Sequence, residues 1–241
     1  MADHERRSRE RVAVAADDPE LVFEVVEDAL YELWSVANEL ARIKAPHPRY
    51  YRVTIFGSSR IKPGDTIYEE VKTLAARLSR MGCDIVTGGG PGLMQAANEG
   101  ARIGDPRNVT RSFGLPVTLP HEEEPNPFVE KIYHHRTFFS RLHHFVRLSS
   151  AFVVVRGGIG TTLETMMIWQ LCQVRHVENV PLIFIGEMWR ELVEWARRHM
   201  LGGDRNLASP QDLEIPYCVD TPDEACAIIA RYRERLRDGV A

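Results

Sequence analysis

A run of glycines between an apolar segment and a helical pattern contains the residues best suited to chemistry. Residues 151–164 read Ala-Phe-Val-Val-Val-Arg-Gly-Gly-Ile-Gly-Thr-Thr-Leu-Glu. This order predicts a buried strand, a turn, and a helix that begins at Thr161. Glycines let backbone N–H groups approach an anion closely, and a helix N-terminus adds partial positive charge. The pattern therefore indicates a cradle for a phosphate, with Glu164 better placed beside a ribose than beside the anion itself.

The same residues also allow a purely structural interpretation. Thr161 and Glu164 have the spacing of a capping box, in which the threonine caps the helix and the glutamate bonds back to the cap N–H group. On this segment alone, capping and ligand contact both stay open.

A second glycine-rich turn follows a predicted strand at 83–87. Residues 88–92 read Gly-Gly-Gly-Pro-Gly and lead into a helix that opens with Leu93 and Met94. Four glycines in five residues exceed what a strand-to-helix connection requires, so we expect the backbone to lie close to a ligand. Tight packing of the helix on the sheet is the alternative.

The elements that position these turns alternate between strand and helix from residue 50 onward. Strands are predicted near 51–56, 83–87, 110–116, 151–155, 180–185 and 216–219, and helices near 66–81, 92–103, 137–149, 161–175, 187–200 and 222–237. This alternation predicts a Rossmann-like α/β fold, a doubly wound parallel sheet with helices on both faces. The segment 117–130 is predicted to be a surface loop.

The common strand order 3-2-1-4-5-6 would bring three loops to one cleft, because ligands of such folds bind where the strand order reverses. The loop after the first strand contains Gly57, Ser58 and Ser59, and it would face the loop of residues 156–160. We therefore predict a nucleotide site. Its candidate residues are Gly57, Ser58, Ser59, Gly89, Gly90, Gly92, Leu93, Met94, Arg156, Gly157, Gly158, Ile159, Gly160 and Thr161.

The first 48 residues are predicted to form a separate region. Residues 1–17 are polar and charged, which is typical of a tail, and Asp18-Pro19 is a typical helix start. An N-terminal helical arm is expected from there to about Arg42. Residues 49–241 then form the Rossmann-like nucleotide-binding catalytic domain.

Composition narrows the possible partners and location. The chain has 241 residues, 44% hydrophobic and 27% charged, with a formal net charge of −4. Because the body has no basic tract, nucleic acid is not expected as a partner, and no apolar stretch is long enough to cross a membrane. The cysteines show no CxxC spacing and are expected to be reduced thiols, which favours a cytoplasmic protein.

The predicted helix at 137–149 adds Arg141 and lies close to two histidine pairs. The pairs are His134-His135 and His143-His144. Adjacent histidines point to different faces of a helix, and no carboxylate completes a ligand set, so we predict no metal site. No other cofactor is predicted.

Four motifs in order resemble those of the LOG (Lonely Guy) family. They are Phe56-Gly57-Ser58-Ser59-Arg60, Gly88-Gly89-Gly90-Pro91-Gly92-Leu93-Met94, Phe139-Ser140-Arg141, and Gly157-Gly158-Ile159-Gly160-Thr161-Thr162-Leu163-Glu164. The family comprises cytokinin riboside 5′-monophosphate phosphoribohydrolases, often mislabelled lysine decarboxylases. The resemblance runs from about Arg52 to Ile229, and the N-terminal helix is similar to that of the longer bacterial members.

The resemblance implies an activity and roles for particular residues. Arg141 and Glu164 would be the catalytic pair, residues 157–161 would hold the 5′-phosphate, and the working unit would be a homodimer or a larger homo-oligomer. The reaction would be hydrolysis of the N-glycosidic bond of a nucleoside 5′-monophosphate, a step of cytokinin biosynthesis in the family. The chemistry suits these residues, because a carboxylate near C1′ stabilises an oxocarbenium-like state.

Two positions depart from the family pattern. Arg156 stands where the turn usually begins with proline, and Leu142 stands where lysine commonly follows the arginine. Proline would fix φ before the glycines, whereas arginine adds a cation beside the phosphate. These departures bear on the substrate more than on the fold.

Two functions from different classes follow. The first is a hydrolase, an AMP nucleosidase that acts on AMP or N6-modified AMP, and the retention of Arg141 and Glu164 favours it. The second is a non-catalytic nucleotide-sensing module, which Arg156 favours. A pyridoxal phosphate decarboxylase is excluded because it needs a Schiff-base lysine in the site. The chain's lysines, Lys44, Lys62, Lys72 and Lys131, lie outside the glycine loops.

Overall fold

The structure is a computed structural model that describes residues 50–118, 124–201 and 205–238, together with Pro19 and residues 22–23 and 25–30. The chain divides into two compact units, Met1–Pro46 and His47–Ala241. In the first unit the described residues are helical, as the sequence predicts for this stretch. The predicted polar tail and the rest of the predicted arm lie outside the described residues.

The second unit is built on a seven-stranded sheet in which every pairing is parallel. Its spatial order is β4-β3-β2-β1-β5-β6-β7. The bounds are β1 Tyr51–Phe56, β2 Cys83–Thr87, β3 Ser112–Gly114, β4 Lys131–Ile132, β5 Ala151–Val154, β6 Leu182–Ile185 and β7 Pro216–Val219. The predicted Rossmann-like sheet and its strand order are confirmed. The two-residue edge strand β4 is an addition, and β3 is shorter than predicted.

In the described part of this unit, six helices cover the sheet on both faces. They are α1 Thr66–Arg80, α2 Leu93–Gly104, α3 Phe138–Leu148, α4 Ile159–Gln173, α5 Glu187–Met200 and α6 Pro222–Arg237, and a short 3-10 helix spans Pro210–Glu214. One apolar core joins α1, α2 and α6 to the sheet, and the other joins α3, α4 and α5 to its opposite face. Every residue of β5 is buried because helices pack on both of its sides, which explains its unbroken apolar run.

The register of the central strands places two turns at the same edge. Phe56, the last residue of β1, lies opposite Val154, the last residue of β5. Parallel strands that end level with each other deliver their following loops to one crevice. The loops after β1 and β5 are therefore neighbours, as the sequence predicts.

The segment predicted as a surface loop is only partly one. Asn126 is 7% exposed and Val117 is 4% exposed, so both are buried within the stretch 117–130. The sequence pattern of prolines and glutamates does not reveal this, because the burial depends on contacts with a distant turn. Those contacts belong to the site.

Candidate active site

Backbone hydrogen bonds tie the three predicted loops together. The Ser58 N–H donates to the Arg156 carbonyl at 3.0 Å, and the Ser58 carbonyl accepts from the Leu93 N–H at 2.8 Å. Gly57 lies between the same two elements, since a Cβ added there would come within 2.7 Å of a Val155 methyl group. The loops after β1, β2 and β5 therefore converge at the carboxyl ends of these strands.

The turn after β2, residues 88–92, is packed against protein atoms. Gly92 has φ +70°, and a Cβ there would overlap the Ser58 carbonyl oxygen. A Cβ on Gly90 would lie 2.8 Å from the terminal methyl of Met94, and one on Gly88 would overlap the guanidinium of Arg141. Close packing, the alternative that the sequence left open, thus accounts for these glycines directly.

The turn after β5 is open by contrast. A Cβ added to Gly158 or Gly160 would meet no atom within 4 Å, and only Gly157 is tight, against Thr161. Gly158 is the N-cap of α4 and makes no side-chain capping bond. The first N–H groups of a helix lack intrahelical partners. This N-terminus therefore presents backbone donors, and Gly158 and Gly160 place no side chain of their own beside them.

The predicted helix start at Thr161 is wrong, and the capping box, which the sequence left open as an alternative, is not formed. Helix α4 begins at Ile159, two residues before Thr161, and Gly158 is its N-cap residue in an extended conformation. Thr161 is buried in the first turn rather than at the cap. Glu164 pairs with an arginine from another helix and is not a capping residue.

Helices α3 and α4 bring Arg141 and Glu164 together. Arg141 Nη2 lies 3.3 Å from Glu164 Oε1, and the two side chains are 12% and 11% exposed. Arg141 Nε donates to the Leu115 carbonyl at 2.7 Å, and its guanidinium carbon lies 5.3 Å from the centre of the Phe145 ring. An arginine held by a carbonyl, a carboxylate and an aromatic face has little freedom to move. The structure therefore shows a buried, oriented ion pair.

Burial controls the charge state of Glu164. Loss of hydration raises the pKa of this carboxyl from its ordinary value of 4.5 to about 7, and the nearby Arg141 guanidinium offsets part of that rise. Near neutral pH the group can therefore gain or lose a proton. A pKa matched to the working pH is typical of acid–base groups in active sites.

The remaining predicted residues differ in exposure, and Leu93 among them is fully buried. Arg156 is exposed, and its guanidinium forms no ion pair with a described residue. Ser59 is also exposed, and Ile159 is 88% exposed beside the α4 N-terminus. Leu142, the second departure from the family pattern, is buried and contributes no charge to the crevice.

A buried polar network was missed by the sequence reasoning. Asn126 Nδ2 lies within hydrogen-bond distance of the Gly89 carbonyl at 3.0 Å, the Gly90 carbonyl at 2.9 Å and Asn98 Oδ1 at 3.0 Å. Thr87 donates to the same Asn98 oxygen at 2.7 Å. The available signals were an asparagine amid the small residues of α2 and another between two prolines.

The histidines bond to each other and to a hydroxyl. His135 Nε2 lies 3.0 Å from His144 Nδ1, and His135 Nδ1 lies 3.1 Å from Ser140 Oγ. Within residues 50–118, 124–201 and 205–238, no three His, Cys, Asp or Glu side chains are placed to hold a metal ion. Among the described helices, none has the length and apolar content to span a membrane.

Comparison with known proteins agrees with this architecture. A family model described as "possible lysine decarboxylase" matches residues 94–229, more than half of the chain. The chain belongs to this family, the LOG family. The matched region contains nearly all of α2, Arg141, the open turn and Glu164.

Curated relatives have a described activity. The pyrimidine/purine nucleotide 5′-monophosphate nucleosidase of Escherichia coli strain K12 is 28% identical over 140 residues, which cover 56% of this chain and 30% of that protein. The protein of the same name from Escherichia coli O157:H7 matches equally. The matched region thus spans under a third of the length of these relatives.

Solved structures share the fold. The molybdenum cofactor binding protein of Rippkaea orientalis matches with a TM-score of 0.57 and 16% identity, over 76% of this chain and 97% of that one. A Moco carrier protein of Chlamydomonas reinhardtii matches with a TM-score of 0.57 and 16% identity, over 78% and 99% of the two chains. At this identity the likeness is one of fold.

Proposed function

We propose that the protein is a hydrolase that cleaves the N-glycosidic bond of a nucleoside 5′-monophosphate and releases the free base and ribose 5-phosphate. One observation carries the proposal. The buried pair of Arg141 and Glu164 lies on α3 and α4. Glu164 is five residues, about 7.5 Å along the axis, from the first residue of α4 at its open N-terminus. An anion site and a catalytic carboxylate are thereby adjacent.

The open turn suits a phosphate. Gly158 and Gly160 leave space on the side where a Cβ would stand, and the helix N-terminus favours negative charge. A 5′-phosphate bound there brings the attached ribose alongside Glu164. This arrangement fits a nucleoside monophosphate better than an unphosphorylated nucleoside, because the latter would leave the N–H donors unused.

The buried carboxylate suits the bond that breaks. In the proposed step the C1′–N bond breaks with its electron pair leaving on the base, and the oxygen of a water molecule bonds to C1′. One proton of that water ends on the base, and the other stays on the new hydroxyl. Ionised Glu164 stabilises the positive charge that develops on the ribose and accepts the water proton. Arg141 holds the carboxylate in place and offers further N–H groups to the departing base or the phosphate.

The contacts of the lysines favour glycosidic hydrolysis over decarboxylation. Lys72 pairs with Glu69 and with Glu99, the latter at 3.6 Å, and Lys131 lies over the Phe113 ring at 5.9 Å. None of the lysines within the described ranges contacts Arg141 or Glu164. Among the residues that the structure describes, a Schiff-base mechanism therefore has no lysine at this ion pair.

The finer parts of the proposal concern substrate, location and assembly. We propose a purine substrate, AMP or N6-modified AMP, and a cytoplasmic enzyme. We also propose a homodimer, because α4 is apolar on its outer side as well as toward the core: Ile159, Leu163 and Met166 are exposed while Ile168 is fully buried. A helix that is apolar all round is typical of a buried helix, and a second copy would cover this side.

The test is an assay of base release from a panel of nucleotides. Purified protein is incubated with AMP, IMP, GMP, CMP and isopentenyl-AMP, with adenosine as the control that lacks the phosphate, and free base and ribose 5-phosphate are quantified by chromatography. The proposal predicts equal amounts of the two products from a monophosphate, none from adenosine, and the highest rate with an adenine nucleotide. No release from any nucleotide, together with a melting temperature raised by AMP, would instead support the nucleotide-sensing alternative.

A further inference from the structure

We propose that Asn126 is a positioning residue of this site: it holds the turn of residues 88–92 in place, and that turn in turn fixes the guanidinium of Arg141. The kinetic part of this inference rests on the proposed function. The structural part rests on hydrogen bonds alone and is testable without activity.

Asn126 forms hydrogen bonds with the turn of residues 88–92. Its side-chain amide has two N–H groups facing the carbonyl oxygens of Gly89 and Gly90 and the side-chain oxygen of Asn98, at 2.9–3.0 Å. One of these N–H groups is therefore shared between two acceptors. The backbone N–H of Asn126 donates to the Gly89 carbonyl as well, at 2.8 Å. The turn is thus held by both the side chain and the main chain of one residue.

The second step is the support of Asn126 itself. Its Oδ1 accepts from the Phe128 N–H at 3.2 Å, which fixes the orientation of the amide. Asn98, which is fully buried, donates to Ser112 Oγ at 2.8 Å, and Thr87 accepts from the Gly89 N–H at 2.9 Å. Loss of a partner in such a network leaves a buried polar group unpaired, which is costly, so the bonds support one another.

The turn of residues 88–92 also contacts Arg141 of the ion pair. The guanidinium of Arg141 lies so close to Gly88 that a Cβ there would overlap Nη2, the nitrogen that contacts Glu164. Met94, on the other side, packs against both Gly88 and Gly90. If the turn moves, Arg141 loses the surface on which it rests, and the geometry toward Glu164 changes. Asn126 reaches this pair only through the turn, which is what makes it a positioning residue.

The direction of the hydrogen bonds to Asn126 also leaves an N–H group of the turn available to a ligand. In a trans peptide the carbonyl and the N–H point in opposite directions. Since the Gly89 carbonyl points at Asn126, the N–H of Gly90 in the same peptide points away from it. That N–H makes no hydrogen bond with any residue the structure describes, so it remains a donor for a bound molecule.

The experiment compares Asn126→Asp with a matched control, Thr54→Val. The aspartate keeps the shape of the side chain and its acceptor for Phe128 but loses both N–H donors. Thr54→Val removes another fully buried hydrogen bond, to Ser149 at 2.5 Å, which does not contact the turn. Asn126→Ala serves as a second variant that introduces no charge.

The activity-independent readout is the Nε–H signal of Arg141, which the bond to the Leu115 carbonyl protects from exchange with water. Its NMR signal is assigned by its loss in Arg141→Lys. Exchange is expected to be about tenfold faster or more in Asn126→Asp and Asn126→Ala, and unchanged in Thr54→Val. Equal exchange in all of these proteins would overturn the inference whatever the enzyme does.

The kinetic readout separates positioning from loss of folded protein. Asn126→Asp should lower kcat about 100-fold, the scale of a misplaced catalytic group, with KM within about threefold of wild type. Ribose 5-phosphate should still bind with one site per chain in calorimetry. In the Arg141→Lys background the same change should lower kcat by less than about threefold, because both substitutions disturb the same group. The inference would be overturned if the losses in kcat from the two substitutions were additive, or if Asn126→Asp left kcat unchanged in an otherwise wild-type enzyme that is active. If the wild-type protein itself is inactive, that result contradicts the proposed function instead.

Discussion

The two glycine turns of this protein have similar sequences and different surroundings. In the turn of residues 88–92, protein atoms lie against the glycines: the Ser58 backbone carbonyl at Gly92, and the ends of the Met94 and Arg141 side chains at Gly90 and Gly88. In the turn of residues 157–160, Gly158 and Gly160 have no neighbour within 4 Å of the position of a Cβ. One turn is filled by the protein, and the other, apart from Gly157, is empty.

The comparison separates two reasons for a glycine that a sequence does not distinguish. The filled turn uses glycine so that backbone and side chains can pack, and it acts on the site through Arg141. The empty turn uses glycine at the N-terminus of α4, where the vacant side suits a phosphate. We therefore expect substitutions in the first turn to change stability and those in the second to change substrate binding.

The largest effect on stability is expected for Gly92→Ala. The substitution places a Cβ against the Ser58 carbonyl at a residue with φ +70°, so both packing and backbone conformation oppose it. We expect the free energy of unfolding, measured by urea denaturation, to fall by about 3 kcal/mol or more.

Gly64→Ala is the matched control for that prediction. Gly64 has φ +91° but no atom within 4 Å of its Cβ position, so only the backbone term remains. Its substitution should cost about 1–2 kcal/mol. Equal losses for the two variants would mean that the first turn is not tightly packed.

The ionisation of Glu164 should give the next largest effect. Because burial raises its pKa to about 7, kcat/KM should rise about tenfold per pH unit below pH 7 and level off above it. A profile that is flat from pH 5 to 8 would contradict the role of the ionised carboxylate.

The same pKa shift predicts the sign of a stability change. The folded protein binds the Glu164 proton more tightly than the unfolded chain, whose carboxyl has the ordinary pKa of 4.5. The free energy of unfolding should therefore decrease as the pH rises from about 4.5 to 7. Urea denaturation of Glu164→Gln should lack this component, and an identical pH dependence in both proteins would contradict the burial of an ionisable group here.

A smaller effect on binding is expected in the empty turn. Gly160→Ala and Gly158→Ala add a methyl group where no protein atom lies, so the free energy of unfolding should stay within about 1 kcal/mol of wild type. The KM for the monophosphate should rise about tenfold, since the methyl obstructs approach to the N–H groups. A stability loss as large as that of Gly92→Ala, with an unchanged KM, would contradict the expected difference between the two turns.

The smallest effect is expected at Arg156. Its side chain is exposed, so its attraction for a phosphate is screened by solvent and salt. Arg156→Ala should raise the KM by about threefold at low salt and by less at 0.5 M NaCl. A complete loss of base release would show that this arginine, which stands where the family has proline, is part of the catalytic machinery.

The sequence predicted the layout of the crevice because that layout follows general rules. Alternating strands and helices specify a parallel sheet, and the reversal of strand order brings the loops after β1 and β5 together. The pairing of Arg141 with Glu164 was implied by family motifs. The buried state of both, which sets the charge of Glu164, depends on helix packing and was not predictable from the motifs.

What the sequence did not predict depends on contacts between distant segments. Asn126 lies 36 residues from Gly90 along the chain, and its loop composition resembles that of any exposed loop. The start of α4 at Ile159 was misassigned because Thr161 and Glu164 match a capping box, whereas Glu164 instead forms an ion pair with Arg141. The edge strand β4 has only two exposed residues, too few for a periodic pattern.

Glu164 is proposed to catalyse the hydrolysis while the open turn binds the phosphate. The most direct measurement is base release from AMP by wild type, by Glu164→Gln, and by Glu187→Gln as a control for an exposed carboxylate. We expect Glu164→Gln to lower kcat by about 1,000-fold or more while ribose 5-phosphate still binds, and Glu187→Gln to match wild type. Base release by Glu164→Gln within about tenfold of wild type would contradict the account.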